Sequence, residues 1–155
     1  AIVPGGTGVG TIIVLEQSNG RMQAFDTGGN PVPYFASSTS CTAALKDGTN
    51  ATYLDIAVEY TGFIYVLSFQ NISRGNCQFN LDIYNPDGSW LCRTTGFNAG
   101  KISLDMWRNI YALNYTPYIG SSTTNASSEP TISQWVPLNS SSTFTPTPTA
   151  TAKAS

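Results

Sequence analysis

Histidine is absent from all 155 residues. That removes the side chain whose ordinary pKa lies nearest neutral pH, and with it Ser-His-Asp and Cys-His nucleophile systems and most zinc sites. Charge is scarce as well: nine acidic and seven basic residues make up 10% of the chain, for a net charge of −2. The basic residues are spread from Arg21 to Lys153 without a cluster, which argues against nucleic acid or an anionic membrane as partner. Cysteine occurs three times, at 41, 77 and 92, without the C-x-x-C spacing of a thiolate metal site. The longest apolar run, residues 63–67, is strand-sized, far short of the ~20 residues that span a bilayer. A charged start followed by an apolar segment is also missing, so a secreted form is expected to be a mature or excised chain.

Ser, Thr, Asn and Gly fill the place of the missing charge, so hydroxyls and amides, or sugars attached to them, must hold the surface in water. With 41% apolar residues, the chain is long enough for one domain with its own core. Its pattern is that of strands. Residues 11–16 (TIIVLE) are a β-branched run, followed by the Asn19-Gly20 hairpin signal. Residues 21–26 alternate, 27–30 turn the chain, and 31–35 read as a short edge strand that tolerates proline. Residues 2 and 3 are candidates for one more short strand. A polar connection over 36–51 carries Cys41. Then come 53–59, a Gly62 turn, 63–69, an insertion over 70–76, the alternating QFNLDIY of 78–84, an Asn85-Pro86-Asp87-Gly88 turn and 89–94. A third unit holds 101–106, a turn at 107–109, 110–115, a long polar loop and 131–136. No 3.6-residue periodicity lasts beyond a turn. The fold expected is all-β, built from antiparallel four-stranded meanders in units spanning 11–35, 52–95 and 101–137, with an extended Ser/Thr/Pro-rich tail over 138–155.

The phrases DIAVEYTGFIYVLSF, FNLDIYNPDGSWL, ISLDMWRNIYALNY and RMQAFDTGGNPV resemble NHL-type β-propeller blades. The resemblance implies blade-like sheets and a partial propeller or open β-arc. Glu59 stands where such blades usually carry Asp, and the connections at 70–76 and 116–129 are longer than usual. Read as blades, the first unit has strands b to d, the second a to d and the third a to c. Three blades do not close a ring that takes four to eight. The chain is then a segment of a larger propeller, or assembles with copies of itself or other chains, or packs as another β-structure. Incomplete end units would suit strand donation between subunits.

Blade topology puts the b–c and d–a connections on one rim and the a–b and c–d turns on the other. The sequons at Asn50, Asn71, Asn114 and Asn125 fall in or beside the first set, and Asn139 adds a fifth in the tail. They are expected to carry N-linked sugar on one rim only, with Thr145, Thr147 and Thr149 as candidates for O-glycosylation. Covalent glycans are the only non-protein groups expected; no cofactor is. If the 85–88 turn pairs Tyr84 with Ser89, Leu81 opposes Cys92. Cys92 then shares an apolar face with Leu81, Ile83 and Trp90, leaving Cys41 and Cys77 as the candidate disulfide.

Carboxylates for glycosidic chemistry would come from Asp55, Glu59, Asp82 and Asp105. Glu59 and Asp105, at equivalent strand ends, read instead as turn caps. Tyr53, Tyr65, Trp90, Tyr111 and Trp135 read as core; Trp107, in a turn, is the exposed aromatic available to a ligand. The functional expectation is a non-enzymatic, extracellular, glycosylated β-subunit that associates with neighbouring copies through sheet edges and its tail. The alternative is a propeller segment that binds a carbohydrate or protein ligand, or part of an enzyme whose active half lies elsewhere.

Overall fold

A computed structural model describes residues 1–6, 8–73, 76–114, 131–137 and 144–147. Among these residues, eleven strands are distributed over three antiparallel sheets, none of them closed. The first holds β1 (Ile12–Glu16), β2 (Arg21–Phe25) and β3 (Thr42–Ala44). The second holds β4 (Thr52–Val58), β5 (Ile64–Ser73), β6 (Asn76–Tyr84) and β7 (Trp90–Thr95). The third holds β8 (Lys101–Leu104), β9 (Ile110–Asn114), β10 (Thr131–Pro137) and β11 (Phe144–Thr147). The all-β, open arrangement expected from the strand pattern is the one found.

The stack is explained by how the strands of the second sheet alternate. In β5, Ile64 and Val66 join one core and Tyr65 and Leu67 the other. A strand buried on both faces must be apolar throughout, which is why residues 63–67 run without a polar break. On one side Ile64, Val66 and Tyr84 meet Ile13, Met22 and Ala24 of the first sheet. On the other, Tyr65, Leu67, Leu81 and Ile83 meet Ile102, Ile110 and Ala112 of the third. Each large aliphatic or aromatic side chain so covered contributes roughly 1.5–3 kcal/mol. β4 lies beside β1 and β8, and the Asp55 carboxylate accepts from the Ile102 N–H at 2.9 Å.

Several expectations need correction. The end units are not short of strands. Residues 1–3 run along the free edge of β1, with Val3 N donating to Thr11 O and Ile13 N to Ala1 O. Tail residues 144–147 form β11 on β10 of the same chain, with Pro146 opposite Trp135. Strand donation therefore loses its premise. The strand expected over 31–35 is interrupted: Pro31 bridges Phe25, Val32 N donates to Ala24 O, and β3 resumes the pairing with β2. Between them Pro33, which has no N–H to give, begins an excursion through the one-turn helix α1 (Phe35–Ser38), anchored by the buried Phe35. That turn and two short 3₁₀ turns are the helices among the described residues. Of the insertion expected over 70–76, residues 70–73 and 76 belong to strands, because β5 and β6 stay paired out to Ser73 and Asn76. In the β6–β7 pair a bulge at Leu91 puts Ile83, not Leu81, opposite Cys92.

Four hairpin turns share one construction. At Asp26, Glu59, Asn85 and Asp105 the first residue donates its N–H to the carbonyl four residues on. Its own carbonyl accepts from the residue three on. The fourth position is left-handed in every case: Gly29, Gly62, Gly88 and, uniquely among the four, Arg108 at φ 69°.

Candidate functional site

The described carboxylates are committed to structural partners. Asp26 Oδ1 accepts from the N–H groups of Gly28 and Asn30 at 2.8 and 2.9 Å. Asp105 Oδ1 accepts from Trp107 and Asn109 at 2.9 Å each, while its Oδ2 accepts from Asn109 Nδ2 at 2.7 Å. Asp87 accepts from the Ser89 N–H and hydroxyl. The Asn30 backbone hydrogen bond leads in holding Asp26 below the usual carboxylate range. Asp105 is held low too: burial pushes it up, and the hydrogen bonds led by the Asn109 side chain outweigh that push. Asp105 is thus the turn cap expected.

Glu59 does more than cap. It is only 2% exposed. It accepts from the Thr61 hydroxyl and from Tyr65 Oη at 3.3 Å, and pairs with Arg108 Nε of the neighbouring turn at 3.2 Å. Arg108 also reaches Thr61 Oγ1 at 3.2 Å and lies over the Phe63 ring. Burial, reinforced by the Glu59 charge, drives the Tyr65 hydroxyl up. The two turns together present Tyr60, Met106 and Trp107 to solvent, Trp107 being 72% exposed.

A second cluster fixes the first sheet's connection to the second sheet. Asp82, with no exposure, accepts from Arg93 Nε and NH2 at 2.8 and 2.7 Å and from Trp90 Nε1 at 3.0 Å. Arg93 also holds Asp47, Lys46 Nζ sits 4.1 Å above the Trp90 ring, and the Lys46 N–H donates to Tyr84 Oη at 2.8 Å. Hydrogen bonding to Asp82 leads in raising the Arg93 pKa. Burial is the main cause that pushes the Tyr53 hydroxyl up to about 12. This overturns the placement of Trp90 on the Cys92 face: the Leu91 bulge turns it to the Asp82 side, and its ring is partly exposed. Tyr111 is likewise at the surface, whereas Tyr53 and Tyr65 are core as expected. Cys92 does pack with Leu81 and Ile83, and burial pushes its thiol up.

Of the expected Cys41–Cys77 pair, Cys41 is a free thiol beside β3, and the backbone of Cys77 lies in β6 opposite Asn71, its side chain outside what the structure describes. Of the sequons, Asn50 is exposed in a 3₁₀ turn before β4 and Asn71 is exposed in β5. Asn114 ends β9 and donates its Nδ2 to Ser133 Oγ at 2.6 Å. All three sit at the strand ends opposite the four shared turns. Asn125, Asn139 and Thr149 lie outside the described residues, and Thr145 and Thr147 fall within β11.

The Arg93 and Arg108 clusters were not recognised from sequence. The available signal was an acid, Asp82, in phase with Tyr84 on a strand otherwise buried. No protein-family model, curated protein or solved structure matches this chain.

Proposed function

We propose that the chain is a non-enzymatic, extracellular, glycosylated β-subunit that works by assembly. The observation that carries the reading is the stack itself. Among the described residues, three sheets share two cores in series, and the outer faces of the first and third sheets still bear aliphatic side chains. A face of that kind gains by being covered. The carboxylates support the same reading: Asp55, Glu59, Asp82 and Asp105 each serve a backbone amide, a turn or an arginine, so these four form no pair poised across an open cleft for glycosidic chemistry. The exposed Asn50 and Asn71 support glycosylation. The route of association differs from strand donation, because the chain fills its own end units.

Sedimentation and negative-stain imaging of the isolated chain test the proposal. A defined oligomer or ordered polymer is the expected result, and a monomer at every concentration overturns it. Intact mass with and without deglycosylation checks the sugar. A second reading, a propeller segment that binds a carbohydrate or protein ligand, draws on the Tyr60, Met106 and Trp107 tip. Ligand binding abolished by Trp107→Ala in a chain that stays monomeric would favour it.

A further inference from the structure

We propose that the two uncovered faces of the stack are covered by a second copy of this chain, joined head to tail, so that two copies close a ring of six sheets. This rests on the assembly reading and adds to it the partner, the stoichiometry and the surface.

The internal interfaces say what covers such a face. The inner face of the first sheet is covered by the second sheet, and the other face of the second by the third. Among the described residues, two faces lack that cover. On the first sheet the register aligns Ile2, Ile12 and Phe25 in one row, with Val14 in the next. On the third it aligns Leu113 with Ile132, and Tyr111 with Gln134. Val14 is 41% exposed and Ile132 59%. Both are apolar enough to gain from contact and too accessible to belong to a finished core.

Charge does not oppose the mating. Glu16 pairs with Arg21 on the first of these faces, and Lys101 at the border of the second lies 3.6 Å from Asp55. Asp105 is held by its own turn. Among the described side chains of these faces, bringing them together therefore strands no uncompensated ion. Width matches as well: with residues 1–3 and β11 counted, each sheet is four strands across, so the new interface repeats the form of the internal ones.

Closure then selects the number of copies. Four-stranded antiparallel sheets repeated radially about an axis typically close into rings of four to eight. The described residues of one copy supply three sheets, two copies supply six and three supply nine, so within that range two copies of the 155-residue chain close a ring. The interface is heterologous, first sheet on third, and it occurs twice about a two-fold axis.

The test uses the 155-residue chain in analytical ultracentrifugation and native mass spectrometry. A mass of twice 16.5 kDa is expected. Val14→Lys and Ile132→Lys, each alone, should weaken the dimer at least tenfold. Ile2→Lys serves as the alternative on the first face should Val14→Lys disturb the fold by circular dichroism. Combining Val14→Glu with Ile132→Lys in one chain should restore the dimer relative to lysine at both positions. An open polymer, a dimer indifferent to these changes, or one broken by Ile132→Lys but not by either first-sheet variant overturns the ring and leaves assembly standing. A monomer throughout overturns both.

Discussion

Asp105 accepts hydrogen bonds from two backbone amides and the Asn109 side chain, and the cost of losing them depends on pH. Its folded pKa is lowered, so its contribution is complete above the unfolded value near 4 and disappears as pH falls through the folded value. Asp105→Ala is expected to melt below the parent at pH 7, and the gap should narrow steadily in acid. An unchanged gap at pH 2 in thermal melts would count against this. Arg108 sets two effects against each other. Its left-handed backbone costs about 1–2 kcal/mol relative to glycine, while its guanidinium neutralises the buried Glu59. Leaving a buried group without its partner costs about 1–3 kcal/mol, and more when it is charged. Arg108→Gly is therefore expected to destabilise by about 1 kcal/mol net in urea titration. Adding Glu59→Gln should recover stability, because the stranded charge is then gone. The Asp caps were legible because Asp followed by a tight turn has a local mechanism. Arg108 was not, since its partner lies 49 positions away and nothing local marks the pair.

At the scale of elements, the Arg93 cluster ties the connection before β4 to β6 and β7. Arg93→Met would leave Asp82, without exposure, only Trp90 as a donor. A loss of about 3 kcal/mol in denaturant midpoint analysis is expected, partly recovered by Asp82→Asn in the same chain. Gly20 marks another constraint. At φ 59° a side chain there is strained, and an added Cβ would fall 2.3 Å from the Gly48 carbonyl carbon. Gly20→Ala should cost at least about 2 kcal/mol, since backbone cannot step aside as a side chain can. Strands of one period and ordinary length were legible; β4 and β9 fall within a residue or so of where alternation puts them. Three features were hidden for physical reasons. Thr42-Ala43-Ala44 is too short and plain to announce a strand, and the far ends of β5 and β6 are polar because they outrun the core. The Thr-Pro repeat around β11 reads as an extended tail with no core-forming residue but Phe144, although proline is tolerated on the edge strand found there.

For the whole molecule, the deficit in closure was legible from the strand pattern. Three units were legible, and so was their failure to close, because both follow from counting strands. Which sheet edges are filled depended on long-range pairing: the short strand at residues 2 and 3 was legible as a candidate, whereas the pairing of 144–147 with β10 carries no local signature. If two copies close the ring, folding and association are linked. The melting temperature should then climb with protein concentration over the micromolar range, while Ile132→Lys should melt at a temperature independent of concentration. Differential scanning calorimetry at several concentrations separates the two.

The proline of β11 has one more consequence. The 105–109 turn sets the hydrogen-bonding phase across β8, β9 and β10, and that phase leaves Pro146 opposite Trp135 as a non-bonded pair. The position with no N–H therefore points away from the sheet. An incoming extended peptide would find a donor missing there, which blunts templated fibril growth from that margin. Pro146→Val would restore the donor, and a shortened thioflavin lag time relative to the parent chain is the expected sign.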